Sequence, residues 1–494
     1  MAVVCVIATG PHANVRAPFM STVGTAEHPL RVAVVGTGPS GMYAAAALLA
    51  EPGLHVTVDL FDRLPAPFGL VRYGVAPDHQ KIKSVNRVFD KTAQDARVRF
   101  FGNVQLGRDL DRGDLRRHYH QIVYAVGAQA DRSMGVPGEE LEGSYSSTEF
   151  VAWYNCHPDL ADARFELGHT SVAVVGIGNV AMDCARILAS RAEELQKTDI
   201  GDHTLPHFAR SGIREIWVLA RRGPVQAKCS PPELKELSEL PGVQVVVDPA
   251  ELEIDAASAE ELAGDRSAAH NLEILRKLAA VPVDPEKVLV RFRFVVSPVE
   301  VLARDGKVAG LRLERNRLEP DGRGGVAAVG TGEFEDLPVT MVIRAIGYKS
   351  LPLVDLPYDS RRGVVPNHDG RVVNAAGDPL PGEYVVGWVK RGPSGLIGSN
   401  KPDAAETVQA MLADLPKLEP LPAAAADPAA VPALLAARGA RAVDYAEWRR
   451  LDAREVERGK PQGRPRVKFL RLEEMLLELG VDPTAVSITA AEAK

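Results

Sequence analysis

The chain has 494 residues, 46% of them apolar and 25% charged, enough for two to four domains with cores of their own and too long for a single small module. A net charge of -7 argues against broad nucleic-acid binding, and no apolar run approaches the roughly 18 residues that a membrane span needs. The four cysteines, Cys5, Cys156, Cys184 and Cys229, never fall close enough for a C-x-x-C pair. That excludes a zinc ribbon, an iron-sulfur cluster of the chain's own and a dithiol redox motif, so no metal site is expected.

Sparse cysteines fit a reducing compartment, and a cytoplasmic location is expected. Residues 1–29 carry one Arg, Arg16, and no basic flank before a short apolar start, so they read as an N-terminal extension rather than a targeting segment. The first structural signal is the buried-strand run Arg31 to Val35. It is closed by Gly36-Thr37-Gly38-Pro39-Ser40-Gly41 and an Ala-rich helix. In such a turn Gly36 makes the sharp bend, Gly38 lets backbone approach a pyrophosphate, and Gly41 allows close helix packing. A second strand, Val56 to Phe61, ends at Asp62, 26 residues beyond Gly36. A carboxylate there can accept hydrogen bonds from both hydroxyls of an adenosine ribose.

The same grammar returns at Val172 to Val175, followed by Gly176-Ile177-Gly178-Asn179-Val180-Ala181 and a helix over Met182 to Ala189. Its second strand, Ile213 to Ala220, arrives late because Thr198 to Arg210 reads as an insertion. It ends in Arg221-Arg222 instead of an acid. A pair of guanidinium groups at that place attracts a 2'-phosphate, which selects NADPH over NADH; a solvated Arg pair at a strand end is the other reading. One site for a free ribose and one for a 2'-phosphate point to a bound flavin beside a nicotinamide. Such chemistry needs no nucleophile or strong base from the protein.

Two further strand-turn segments, Ile122 to Gly127 and Val342 to Gly347, mark where the chain crosses between domains. The expected fold class is therefore α/β: two Rossmann-like dinucleotide-binding domains, an NADP-binding domain over 130–346 inserted in a discontinuous FAD-binding domain over 30–129 and 347–494. Pro416 to Pro432, rich in Ala and Pro, reads as a linker or a draped segment. Helical character follows at Tyr445 to Arg458, and a short amphipathic run at Glu473 to Leu479. Gly392-Pro393-Ser394-Gly395 would let backbone approach a ring closely, and Pro402 to Val408 begins a helix whose positive end can face it.

The segment Phe68-Gly69-Leu70-Val71-Arg72-Tyr73-Gly74-Val75-Ala76-Pro77-Asp78-His79 closely resembles the flavin-contact segment of the adrenodoxin reductase family of ferredoxin-NADP reductases. So do Gly176 to Asp183, Arg221-Arg222-Gly223-Pro224 and Gly387 to Gly398, in family order over about residues 30 to 405. Trp448 to Lys468 looks like the bacterial members. The resemblance implies that Ser40, Asp62, Leu70, Leu106, Trp388, Gly395, Leu396 and Ile397 line the FAD site. It implies that Ile177, Gly178, Asn179, Val180, Arg221, Arg222, Glu233 and Gly395 contact NADP. His79 and Asp183, the candidate catalytic residues, are placed by it near both rings, where they orient them or relay a proton. Ser40 stands where Ala is usual, and Lys228-Cys229 replaces a usually apolar pair just before the helix that holds Glu233.

The function the resemblance implies is hydride transfer from NADPH to FAD and delivery of single electrons to a ferredoxin. Two alternatives stay open. One is a reductase of a small molecule or an electron-input subunit of the glutamate synthase type, which carries N-terminal cysteine clusters that this chain lacks. The other is a nonenzymatic NADPH-binding sensor. Ferredoxins are usually acidic, so a local positive face is expected for docking. Lys83, Arg87 and Lys91, spaced by four on one helix face, are the first candidate. The stretch 438–468, with ten basic and five acidic residues, is the second.

Overall fold

The computed structural model describes residues 22–322 and 325–483. The expected N-terminal extension, with Cys5, lies outside the described residues up to position 21. Val23 is buried against the first core.

Two open sheets organise the chain. In the first, Val98–Phe101, Val56–Phe61, Leu30–Val35, Gln121–Tyr124 and Pro379–Val385 run parallel in that spatial order, extended by the antiparallel strands Arg371–Val373 and Asn367–His368. The second holds six strands in the order Ser144–Ser146, Met341–Arg344, Ser171–Val175, Glu215–Leu219, Val288–Arg293 and Val243–Val247, all parallel. Both faces of a parallel sheet are covered, so its strands are continuously apolar; every residue of Leu30–Val35 is buried. In each sheet the strand before a glycine turn lies where the strand order reverses, and ligands of open α/β sheets bind at that point. Where the chain passes between the sheets, Ala130–Asp131 pairs with Tyr348–Lys349 as a short antiparallel ribbon.

The second sheet carries an appendage that no sequence signal marked, the antiparallel strands Val296–Arg304, Lys307–Pro320 and Val326–Leu337. Pro416 to Pro432 is not a free linker. It contains the helical turn Ala423–Ala426 and the start of Ala430–Ala437. His118 and the buried Arg31 bind the carbonyls of Ala425 and Ala426, which fixes this segment to the first sheet. The expected C-terminal helices are found at Tyr445–Gly459 and Leu472–Glu478. No helix among the described residues is long and apolar enough to cross a membrane.

The two basic patches expected for docking are largely consumed by the fold. Gln80–Lys83 and Asn86–Ala93 are separate helices, and the Lys83 ammonium is buried, 2.7 Å from Asp199 in the presumed insertion. Only Arg87 and Lys91 of that set are exposed. In the tail, Arg438, Arg441, Arg449, Arg454, Arg464, Arg466 and Lys468 all pair with carboxylates. The excess of positive charge there is balanced by acids from other parts of the chain.

Candidate functional site

Gly36 has φ +101, and a Cβ on it would stand 2.5 Å from the Ala125 carbonyl oxygen, so only glycine fits the bend. Gly38 is different: the nearest atom to its missing Cβ is Gly69 Cα at 4.0 Å, and a Cβ on Gly69 would come 3.0 Å from Gly38 Cα, so backbone packs on backbone here. The helix Pro39–Leu49 starts at this turn with no side-chain cap and no acid in its first turn. By contrast, Asp111, Ser146 and Asp444 close the ends of helices elsewhere in the chain. Uncapped N-H groups and a positive helix end make a seat for phosphate. Asp62 Oδ2 accepts from the backbone N-H (3.1 Å) and hydroxyl of Thr37, and Oδ1 from the Leu64 N-H at 3.1 Å. Both sites on Oδ2 are taken by Thr37, and Oδ1 keeps a lone pair for a ribose hydroxyl. Burial pushes the Asp62 carboxyl above its ordinary value.

Phe68 and Gly69 lie over this turn with φ of 82 and 48, and the Phe68 N-H donates to Thr37 O at 3.1 Å. Leu70 opens the short helix Leu70–Tyr73, and Leu106 lines a small apolar crevice with Val35, Phe61 and Leu110. From the other end of the chain, Gly387 packs so closely on Ser40 that a Cβ would come 2.5 Å from the serine Oγ. The Ser40 hydroxyl is thus turned toward Gly387. Trp388 Nε1 donates to Ser394 O at 3.1 Å, which folds the loop carrying Gly395, Leu396 and Ile397; Leu396 is 64% exposed. The residues present fit FAD: N-H groups at an uncapped helix end for pyrophosphate, a carboxylate for ribose, and glycines that let backbone come close to a flat ring.

At the second turn a Cβ on Gly176 would be 2.2 Å from Ala345 O, whereas nothing lies within 4 Å of one on Gly178. The Asn179–Ala189 helix behind it is also uncapped. Ile177 O accepts the N-H groups of Lys228 and Cys229 at 3.0 Å each, and Asn179 Oδ1 that of Ser230 at 2.7 Å. Lys228 is exposed while Cys229 is buried, so this departure leaves docking intact. The helix Pro231–Ser238 seats Leu234 and Leu237 in the core and brings Glu233 near His79. Val180 is half-buried beside it. Arg221 is exposed and Arg222 half-buried just past Glu215–Leu219, where Leu219 O accepts the Gly176 N-H at 2.8 Å. The residues fit NADP.

A polar cluster joins His79, at the end of the Phe68 segment, to the helices Asn179–Ala189 and Pro231–Ser238. His79 Nδ1 is 3.8 Å from Asp183, and Nε2 is 3.9 Å from Glu233 and 2.8 Å from Glu236. Since a carboxylate only accepts, the Glu236 contact places the imidazole proton on Nε2. Burial, then the nearby Glu233 charge, pushes the Asp183 carboxyl up to about 7, and burial also raises Glu233. Glu233 Oε2 is buried with no hydrogen-bond partner, an acceptor available to an amide such as that of nicotinamide. The sequence did not point to Glu236, nor to Arg186, buried and ion-paired with both Asp78 and Asp183. Its place one turn after Asp183 was the available signal. The exposed Arg132 follows the crossover ribbon, and its backbone N-H donates to Gly347 O at 2.9 Å. Tyr348, in the crossover ribbon, packs on Trp388 with ring centres 5.5 Å apart. Cys156, Cys184 and Cys229 are buried and unpaired. Burial raises the Cys156 and Cys229 thiols to about 12, which keeps them protonated.

Residues 30–247 match the family described as pyridine nucleotide-disulphide oxidoreductase. The chain is 44% identical over 459 residues to NADPH-ferredoxin reductase FprA of Mycobacterium tuberculosis, covering 91% of this chain and 98% of that protein. It is 42% identical over 461 residues to the mitochondrial NADPH:adrenodoxin oxidoreductase of Arabidopsis thaliana, covering 91% and 95%. The solved structure of Mycobacterium tuberculosis FprA in complex with NADPH superposes with a TM-score of 0.87 at 44% identity, over 92% of this chain and 100% of that one. With two glycine turns of the dinucleotide-binding kind and kinship along nine-tenths of its length, the chain belongs to the family of NADPH-ferredoxin and NADPH-adrenodoxin reductases.

Proposed function

We propose that this chain is an FAD-dependent ferredoxin-NADP reductase, which moves hydride from NADPH to FAD and single electrons on to a ferredoxin in the cytoplasm. The observation that carries it is a pair of uncapped glycine turns, one served by Asp62 and the other by Arg221-Arg222, with the His79 cluster linking the segment that packs on the first turn to the helix that starts at the second. FAD, when bound, accepts two electrons together and releases them one at a time. The chain's part is to bind, orient and exclude water. We divide it into an FAD-binding domain over 30–129 and 347–494 and an NADP-binding domain over 130–346.

In this reading the free amides at Gly38 to Gly41 hold the FAD pyrophosphate and Asp62 its ribose, while Leu106 meets the adenosine. Leu70, Trp388, Gly395, Leu396 and Ile397 enclose the ring. The turn from Ile177 to Val180 holds the NADP pyrophosphate, and Arg221 and Arg222 the 2'-phosphate. Glu233 accepts from the carboxamide through its unpartnered oxygen. His79 Nδ1 faces Asp183 at 3.8 Å, with Glu236 fixing the imidazole and Arg186 fixing Asp183, so the pair orients the rings where they meet. NADPH-driven cytochrome c reduction, with and without an added acidic ferredoxin, tests the function. A strong ferredoxin requirement is expected, and indifference to every ferredoxin tried would count against the electron acceptor named here.

Asp62→Ala should lower FAD retention about tenfold to a hundredfold, the loss of a charge-assisted ribose contact, read as the FAD-to-protein ratio after gel filtration. Asp183→Asn has a signed pH signature. The folded-state carboxyl keeps its proton to about 7, against 3.8 as the ordinary value, so the stability it contributes is full below pH 4 and is lost as pH rises through 7. The variant should therefore lose less stability than the parent between pH 4 and pH 8, because it has no carboxyl to ionise there. Denaturation at the two pH values reads this directly.

A further inference from the structure

The carbonyls of Arg221 and Arg222 are held by the antiparallel appendage of the second sheet. Asn316, on Lys307–Pro320, donates one side-chain N-H to Arg221 O at 2.9 Å and the other to Ser297 Oγ at 2.9 Å. Its backbone N-H donates to Val295 O at 2.7 Å. Val295 in turn donates to Arg222 O at 3.1 Å, and Val296 to Ala220 O at 3.1 Å.

Val295 has φ 51, a left-handed conformation that a β-branched side chain adopts only under constraint. Strand pairing shifts register between Glu314 and Asn316, the kind of irregularity that re-aims a side chain beside a functional site. Leu318, two residues on and on the same face as Asn316, reaches Gly223: a Cβ there would stand 3.3 Å from Leu318 Cδ1. A strained residue, a break in register and an amide that spends both its protons here all converge on the backbone of two arginines. The acid-tipped turn at Asp62 is held differently, its carboxylate by Thr37 and Leu64 and its backbone by Phe101 and Val104.

We propose that Asn316 is a positioning residue for recognition of the 2'-phosphate: it sets the Arg221-Arg222 turn so that both guanidinium groups meet the anion. The inference rests on the reading that this turn binds the 2'-phosphate. The appendage is then part of the cofactor-specificity apparatus, although Asn316 itself touches no ligand. Anion geometry matters because two fixed forks gain more from one phosphate than two free ones.

The test compares dissociation constants of 2',5'-ADP and 5'-AMP, measured by calorimetry on the flavin-loaded protein. Asn316→Ala should weaken 2',5'-ADP about five- to tenfold, the effect of one lost hydrogen bond, and leave 5'-AMP within about twofold. Ser297→Ala, which removes only the second anchor of the amide, should shift 2',5'-ADP in the same direction by less, and it serves if Asn316→Ala does not fold. Equal weakening of both ligands, or unchanged 2',5'-ADP affinity in whichever of these variants folds, overturns the inference. Arg221→Ala separates the two levels. If it weakens 2',5'-ADP while the Asn316 and Ser297 variants do not, the phosphate reading stands and the positioning role falls. Should the parent protein fail to prefer 2',5'-ADP over 5'-AMP, both fall.

Discussion

Replacing Arg221 and Arg222 together by alanine is expected to lower kcat/KM for NADPH by roughly two to four orders of magnitude and to leave NADH nearly unaffected. Each guanidinium supplies a charge-assisted hydrogen bond worth about 1.5–3 kcal/mol, and every 1.4 kcal/mol is about tenfold. Arg221 is exposed and Arg222 half-buried just past the strand end, so the substitutions should disturb the rest of the fold little. Steady-state kinetics with the two nucleotides measure the split. A parallel loss for NADH would mean that the pair supports the fold rather than the phosphate.

Glu455→Gln should destabilise the protein by about 3–5 kcal/mol, because it leaves the Arg72 guanidinium buried without its counter-charge. Arg72 is 4% exposed and binds Glu455 through both terminal nitrogens, at 2.9 Å and 2.5 Å, while its plane stacks on Trp448 at 5.1 Å. Lys468 Nζ adds a hydrogen bond to Arg72 O at 3.3 Å. Since Arg72 belongs to the Leu70–Tyr73 turn, the C-terminal segment secures a wall of the flavin site from behind. Denaturant titration should register the stability loss, and flavin should be released earlier than in the parent. Normal stability with normal flavin content would contradict this account of the tail.

The glycine turns and Asp62 were legible because strand, turn and helix follow one another within about thirty residues, and the Arg pair because it ends the next strand even after an insertion. His79 and Asp183 were legible through the family resemblance, and the fold brings them together. The tail was not. Arg72 and Glu455 lie 383 residues apart, and no periodicity announces an ion pair of that span. For the same reason Lys83 read as a surface cation, although its partner Asp199 sits 116 residues on, in what read as an insertion. The appendage escaped notice because its strands mix apolar and charged residues on a half-exposed sheet, without the continuous apolar runs of the buried ones. Asn316, in the middle of it, has meaning only through the backbone that it holds.

The central claim is that one chain joins a two-electron nicotinamide donor to a one-electron iron-sulfur acceptor. Anaerobic addition of about one equivalent of NADPH to the purified protein, followed through the visible flavin band and then by addition of oxidised ferredoxin, tests it most directly. The expected result is bleaching by NADPH, far slower bleaching by NADH, and recovery of the band as ferredoxin becomes reduced. A protein without a flavin band after gentle purification, or a bleached band that ferredoxin leaves unchanged, would contradict the account.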